Sequence, residues 1–373
     1  MFHVGGMAEL RPLTDGHAID ADARRGRGAS TNQPGRYETA DRVAVDDGWD
    51  LPDEVAQIRT EVRPETARSL ITYNRSPDLP FDRSINVYRG CEHGCVYCFA
   101  RPTHAYLGLS PGLDFETRLT ARVNAAEVLE RELRSRRYAP ATIAIGTNTD
   151  PYQPAEHKLE LTRACLEVLR DYRHPVAIVT KGTGILRDLD ILSDMAAQGL
   201  ASVGVSVTTL SPDIARRMEP RVPPPAKRLA VIRALAEAGV PVRLMASPIV
   251  PGLTDTEVEA ILEAGRDAGA RGASWIMLRL PQEVAPLVET WLREAWPDRA
   301  DKILNRLREM HGGKLYEAQW GRRMRGEGVY ARMIAARFEA ARRRVGLDER
   351  MPPLRTDLFR HPPRVGDQLG LFD

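Results

Sequence analysis

Asn86-Val87-Tyr88-Arg89-Gly90-Cys91-Glu92-His93-Gly94-Cys95-Val96-Tyr97-Cys98-Phe99 is the stretch from which the rest of the chain is best understood. A β-branched and aromatic run, Ile85–Tyr88, leads into three cysteines spaced C-x3-C-x2-C. The chain has only four cysteines in 373 residues, so these three are no disulfide framework and point to metal binding. Three thiolates on one short loop can hold three irons of a [4Fe–4S] cube and leave the fourth open, whereas electron-transfer ferredoxins supply four cysteines. Gly90 and Gly94 let such a loop wrap closely around its cargo. The alternative is a structural zinc with His93 or His104 as fourth ligand, although zinc sites favour two separated Cys pairs. Cys165, inside the helical pattern Leu161–Leu169, reads as a buried small hydrophobe.

Outward from the loop, short β-branched runs alternate with longer amphipathic stretches. The strand candidates are Ile85–Tyr88, Thr142–Gly146, Val176–Thr180, Ser202–Val207, Val242–Ala246 and Ser274–Leu278. The segments 121–137, 159–172, 186–198, 226–238 and 255–268 between them carry helical periodicity. Strand and helix alternating at this spacing predict an α/β fold with a parallel sheet and crossover helices. Six strands suit an open, partial (β/α)6 barrel of the TIM type, in which chemistry sits on the loops after the strands. The unusual residues obey that rule: Cys91 follows the first strand, Asn148 and Asp150 the second, Lys181 the third.

The flanks divide the chain into four parts: a flexible N-terminal extension over 1–80, the barrel over 81–285, a basic helical region over 286–350 and a tail over 351–373. The extension is rich in Gly, Asp, Arg and Pro and contains the basic run Arg24-Arg25-Gly26-Arg27-Gly28, read as a solvated tail or a nucleic-acid-touching arm. Residues 287–345 look helical and rich in arginine, which favours a phosphate-bearing partner or a solvated helical surface. The net charge of +2 is too small to argue for nucleic acid by itself. No secretory signal opens the chain and no run of about eighteen apolar residues occurs, so a cytoplasmic protein off the membrane is expected.

The cysteine triplet with an aromatic before its last member is the signature of the radical S-adenosylmethionine (SAM) superfamily. The text NVYRGCEHGCVYCFARPTHAYLG, followed by GTNTDPYQPAE, VTKG and SPIVPG, resembles the spore-photolyase-like branch of DNA repair radical SAM proteins over residues 84–281. Arg24–Ala29 and the C-terminal tail also resemble bacterial members of that branch outside spore formers.

That resemblance implies an enzyme, a lyase of DNA repair, that binds a [4Fe–4S] cluster and SAM and cleaves SAM reductively to a 5′-deoxyadenosyl radical, with electrons from a flavodoxin- or ferredoxin-type donor. Cys91, Cys95 and Cys98 would be the cluster ligands and Tyr97 would lie near the adenine. Asn148 and Asp150, in the place of the family's Gly-Gly-Glu loop, would take the SAM ammonium, although Asn, Asp and Pro are also ordinary turn residues. Lys181 would meet the SAM carboxylate, or else be a solvated turn lysine. Ser206 would bond the ribose and Ile249 would pack on adenine; an ordinary strand serine and a core isoleucine are the alternatives.

Two departures bear on the reaction. The branch's hydrogen-donating cysteine near the end of the second strand has no counterpart in Ala144–Asn148, and the tyrosine after the third cluster cysteine is Phe99 here. Tyr152 is the candidate donor in its place. DNA is the expected substrate; RNA, a peptide or a small molecule is the second possibility, and a non-catalytic iron–sulfur or zinc interaction module the third. At the very end, Gln368-Leu369-Gly370-Leu371-Phe372 resembles the peptide by which bacterial repair proteins dock on the sliding clamp, with Gln368, Leu369, Leu371 and Phe372 as anchors.

Overall fold

The computed structural model describes residues 19, 24–38 and 58–363. Its strands, in chain order, are β1 Glu61–Glu65, β2 Thr72–Tyr73, β3 Arg83–Ile85, β4 Tyr88–Arg89, β5 Arg118–Arg122, β6 Ile143–Ile145, β7 Val176–Thr180, β8 Ala201–Ser206, β9 Val242–Ile249 and β10 Gly272–Met277. Seven of them form one sheet in the order β10-β9-β8-β7-β6-β3-β2. Six pair in parallel, and only β2, at the edge, runs antiparallel. This is the expected open six-stranded parallel arrangement, since each β-branched run is followed by a helix long enough to return the chain to the same end.

The helices bury the stripes their periodicity promised. Leu161–Asp171 hides Thr162, Cys165, Leu166 and Leu169, an i, i+3, i+4, i+7 face, against the sheet. Cys165 is fully buried there, and burial pushes its thiol pKa up, as suits a core residue. The same core takes in β7 and β8 through Val176, Ile178, Val203 and Val205.

A second, three-stranded sheet was not legible beforehand. β1 pairs in parallel with β5, and β4 pairs with β5 antiparallel. Its strands are short and charged (Glu61-Val62-Arg63-Pro64-Glu65), so they lack the apolar alternation by which strands are recognised. The consequence is local but important: β4 ends at Arg89, so the cysteine loop is anchored to two sheets at its start.

Beyond the barrel, the chain forms helices Val284–Ala295, Pro297–Met310 and Gly328–Arg344. The expected helical run is interrupted at 311–327, where Gly312, Gly313, Gly321 and Gly326 all take positive φ. This loop has a structural task. Met277 N–H of β10 donates to Met324 O at 2.9 Å, and Arg325 lies 4.1 Å over the Trp275 ring, so the open edge of the sheet is covered. Helix Gly328–Arg344 completes the cover through Ile334 and Phe338, whose ring lies 5.9 Å from Trp275.

Several arginines of this region, expected to favour a phosphate-bearing partner or to form a solvated helical surface, are engaged by carboxylates of the chain itself. Arg322 pairs with Glu327 at 2.6 Å, Arg323 with Asp78 at 2.7 Å, Arg337 with Glu259 at 2.7 Å and Arg344 with Glu263 at 2.7 Å. The partners come from helix Val258–Asp267 (Glu259, Glu263), from the turn between β2 and β3 (Asp78) and from the residue that opens the last helix (Glu327).

The described part of the tail packs on the barrel as well. Arg360 N–H donates to Tyr172 O at 3.1 Å, and the Phe359 ring sits among Tyr138, Tyr172 and His174. Gln368, Leu369, Leu371 and Phe372 lie outside the described residues.

Candidate active site

Cys91, Cys95 and Cys98 lie on the loop that leaves β4, at the end of the barrel where the parallel strands finish. Gly90 and Gly94 both take positive φ, as the close wrapping of the loop requires. Its turns are closed by Gly94 N–H to Cys91 O at 3.4 Å and Cys98 N–H to Cys95 O at 3.1 Å. Everything else that holds the loop comes from elsewhere in the chain.

From one side comes Arg101, completely buried. Its Nε and Nη2 donate to Cys95 O at 3.0 and 2.9 Å, Nη1 to Pro111 O and Gly112 O at 3.1 and 2.7 Å, and Nη2 also to Glu116 at 2.5 Å. Glu116, equally buried, accepts in turn from the backbone N–H groups of Gly28 and Ala29 at 2.9 and 2.8 Å. The run Arg24–Gly28, expected to be flexible, therefore ends against the underside of the cysteine loop. Arg27 is buried with it, donating to Glu116 O at 3.1 Å and to Ile58 O at 2.8 Å. Gly28 is required for the approach: a Cβ there would lie 1.8 Å from Gly94 O.

From the second side, Gln153 accepts from Glu92 N–H at 2.9 Å and donates to Gly90 O at 3.3 Å. From the third, Met218 O accepts from Val96 N–H at 3.2 Å. None of Arg27, Arg101, Glu116 or Gln153 was singled out as a site residue. Their signal, polar residues close to an unusual loop, becomes visible only once contacts of up to 89 residues' separation are known.

The polar residues after the strands converge on the thiols. Asp150 accepts from Thr180 Oγ1 at 2.7 Å, Lys181 N–H at 2.8 Å and Tyr152 N–H at 2.9 Å, and His93 Nδ1 stands 3.4 Å away. Burial works to raise its carboxyl, but His93, the Thr180 hydroxyl and the Lys181 amide outweigh it and hold the group well below the usual carboxylate range. Asp150 thus ties three loops together. The neighbouring Asn148 donates its N–H to Asn86 Oδ1 at 3.0 Å, and its carboxamide makes no hydrogen bond to a described residue.

On the other flank, Lys181 Nζ lies 6.0 Å from the centre of the Tyr97 ring and faces Cys95, Glu219 and Asp150. Burial alone would lower its pKa; Cys95, Glu219 and Asp150 raise it instead, so the ammonium stays charged without a direct ion pair among the described residues. Glu219 is the residue the sequence did not offer. It is buried, accepts from the Tyr97 hydroxyl, from Thr208 Oγ1 at 2.9 Å and from Arg228, and its carboxyl is held low by Arg228 and Lys181 against the effect of burial. It escaped notice because it follows helix Pro212–Met218 and not a strand.

Ser206 and Ile249 are buried at the ends of β8 and β9, as expected of that rim; Ser206 O accepts from Arg228 at 3.3 Å and Ile249 O from Leu278 N–H at 2.9 Å. Tyr152 is placed otherwise. Its ring packs under Gly182 and Gly184, and its hydroxyl donates to Asp188 at 3.1 Å, beside helix Leu189–Ala197, so its phenol is committed to the helical layer.

The donor chemistry fits an iron–sulfur group better than one metal ion. The three thiols are near enough to influence each other's ionisation. Yet no three His, Cys, Asp or Glu among the described residues converge as one tetrahedral zinc, with bonds of about 2.3 Å, would require. His93 is engaged with Asp150, and His104 packs edge-on against Phe115 at 5.5 Å. Three thiols on one loop with a flanking ammonium are a setting in which such clusters are held and tuned.

The model of a family described as the radical SAM superfamily matches residues 85–265. An uncharacterized protein of Mycobacterium tuberculosis is 40% identical over 235 residues, which span 62% of this chain and 68% of that one. An uncharacterized protein of Methanocaldococcus jannaschii is 27% identical over 173 residues, spanning 46% of this chain and 62% of that one. Among solved structures, spore photoproduct lyase complexed with dinucleoside spore photoproduct superposes with a TM-score of 0.53 at 17% identity, covering 76% of this chain and 78% of that chain. That likeness establishes a shared fold.

Proposed function

The chain belongs to the radical SAM superfamily, and on that premise we propose that it is a cytoplasmic enzyme that cleaves SAM reductively at a [4Fe–4S] cluster and uses the resulting 5′-deoxyadenosyl radical on DNA. The observation that carries the reading is the cysteine loop, three thiols held from three sides with a cationic and hydrogen-bonding flank. When bound, the cluster would supply the single electron that splits the sulfonium.

The chain's own residues do the rest. Cys91, Cys95 and Cys98 would ligate iron. Lys181, still charged and without a direct ion pair among the described residues, would receive the SAM carboxylate. The free carboxamide of Asn148 would take the ammonium, while Asp150 keeps the loop in register. Tyr97, fixed by Glu219, would wall the adenine side together with Ile249, and Ser206 would lie toward the ribose. A flavodoxin- or ferredoxin-type protein is the expected electron donor.

DNA as substrate rests on the motif resemblance to the spore-photolyase-like branch. Repair of the spore thymine dimer itself is not part of the proposal, because Ala144–Asn148 holds no cysteine and position 99 is phenylalanine.

The test is anaerobic. Purified protein should carry about four irons per chain by cluster stoichiometry and form 5′-deoxyadenosine from SAM once reduced. Cys95→Ala should lose both. Zinc in place of iron in protein kept from air would overturn the reading.

A further inference from the structure

Five aromatic side chains among the described residues are strongly exposed: Tyr37, Tyr73, Phe99, Tyr106 and Trp320. Three of them, Tyr37, Phe99 and Tyr106, stand on the rim that carries the cysteine loop, and each of the three has a guanidinium beside it. Phe99 follows Cys98 directly, and Arg279, which leaves β10, lies 5.1 Å from its ring. Arg279 also donates to the Tyr316 hydroxyl at 3.3 Å and lies 5.9 Å from that ring, so one cation is flanked by two aromatic faces. A second station stands further round. Tyr37 and Tyr106 stack with centroids 5.4 Å apart and planes at 30°, and Arg36 lies 5.5 and 5.8 Å from the two rings.

The stations share one rim. Tyr106 belongs to the short helix Arg101–Leu107 that begins three residues after Cys98. Arg36 is held by Glu283 at 2.7 Å, and Glu283 lies four residues beyond Arg279, at most about 14 Å of extended chain. Exposed rings at two nearby stations are costly unless they receive something.

We propose that this rim binds unpaired nucleotides, each station stacking a base on its rings while Arg279, which is in no ion pair among the described residues, attracts the backbone. The occupant is identified by its chemistry. A base offers a flat π-face that either station can take in any sequence, and a phosphate complements a guanidinium already fixed beside the ring. A paired base hides its faces in the stack, so the rim selects single strands or extruded nucleotides over duplex. This deepens the functional reading above and rests on it for relevance to catalysis, but the binding itself can be measured separately. It also differs from the expected arginine stripe, since aromatic faces carry it and not summed charge.

The experiment uses anaerobic holoenzyme and fluorescently labelled oligomers: single-stranded DNA, single-stranded RNA of the same sequence, duplex DNA and an acidic peptide. Single strands should bind more tightly than duplex and peptide, with the DNA and RNA arms deciding which sugar the rim prefers. Tyr37→Ala with Tyr106→Ala should weaken single-strand binding about five- to a hundredfold, the change equivalent to stacking worth about 1–3 kcal/mol per base. Phe99→Leu should weaken it in the same direction. Tyr73→Ala is the internal control. It removes an equally exposed tyrosine with an arginine 5.3 Å away, at the opposite end of the strands, and should change nothing. Iron content and melting temperature certify that each variant is folded. Unchanged affinity in the rim variants, equal loss in Tyr73→Ala, or equal binding of duplex or acidic peptide would overturn the proposal. Failure of SAM cleavage with single-strand binding intact would count against the enzymatic reading and leave this one standing.

Discussion

The cysteine loop and the helical region after residue 286 both attract attention by composition, one through clustered thiols and the other through clustered arginines. The structure treats them in opposite ways. Around the loop, buried polar groups from distant segments converge: Arg101 and Glu116 beneath it, Gln153 and Asp150 beside it, Gly28 against its turn. In the helical region several arginines meet carboxylates of the chain itself, as in Arg337–Glu259 and Arg344–Glu263. A residue type repeated in one stretch indicates function only when the fold leaves it something to do. Three free thiols held from three sides stay available to ligate, whereas Arg337 and Arg344 are each engaged at 2.7 Å by the chain itself.

The contrast can be broken most decisively at Arg101. Arg101→Ala would leave Glu116 as a buried unpaired charge and strip Cys95 O, Pro111 O and Gly112 O of their donor. We expect destabilisation of about 3–5 kcal/mol, the cost of breaking a buried ion pair from one side, with loss of bound iron, read by thermal unfolding and metal analysis. Wild-type iron retention would show that the loop does not need its prop.

A second test uses acid. Burial lowers the pKa of His104, beneath the loop, and of His174, in the outer layer, from 6.5 to about 4 in each. Both folded values lie below the unfolded one, so the stability they confer is fully present above pH 6.5 and is lost as pH falls toward 4. The shift corresponds to about 3 kcal/mol for each. Melting temperature should therefore drop across that window, and His104→Phe should flatten the fall. An unaltered pH profile in that variant would remove His104 from the account.

Gly28→Ala sharpens the role of the N-terminal segment. Its Cβ would collide with Gly94 O, and overpacking of this kind costs about 1–3 kcal/mol. The expected readout is weaker iron retention and an altered electron paramagnetic resonance signal of the reduced cluster. A wild-type spectrum would mean that the segment merely rests on the loop.

The smallest effect belongs to the other side of the comparison. Arg322→Gln removes an exposed ion pair with Glu327, worth about 0–1 kcal/mol. It should shift neither the melting temperature by more than a degree or two nor the salt dependence of nucleic-acid binding. A flatter salt slope would restore the phosphate stripe.

The sequence by itself determined the scaffold and the cysteine triplet. β-branched runs such as Val176-Ala177-Ile178-Val179-Thr180 are strands because their side chains suit a pleated, buried sheet. The amphipathic stretches between them must return the chain to the same edge, so the parallel sheet follows from local pattern. The cysteines are equally local, three thiols within eight residues. Tertiary structure alone decided what surrounds them. Glu219 lies 122 residues from the Tyr97 it orients, and Glu116 lies 88 from the Gly28 N–H it accepts. Tyr152, placed correctly after its strand, turned toward Asp188 instead of the thiols. Arg27 and Gly28, at the end of the basic run, became buried because a carboxylate such as Glu116 cannot stay inside the protein without donors. Periodicity and spacing report what a residue meets within a turn or two of itself. Which buried charge answers which, across a hundred residues, is settled only when the chain closes.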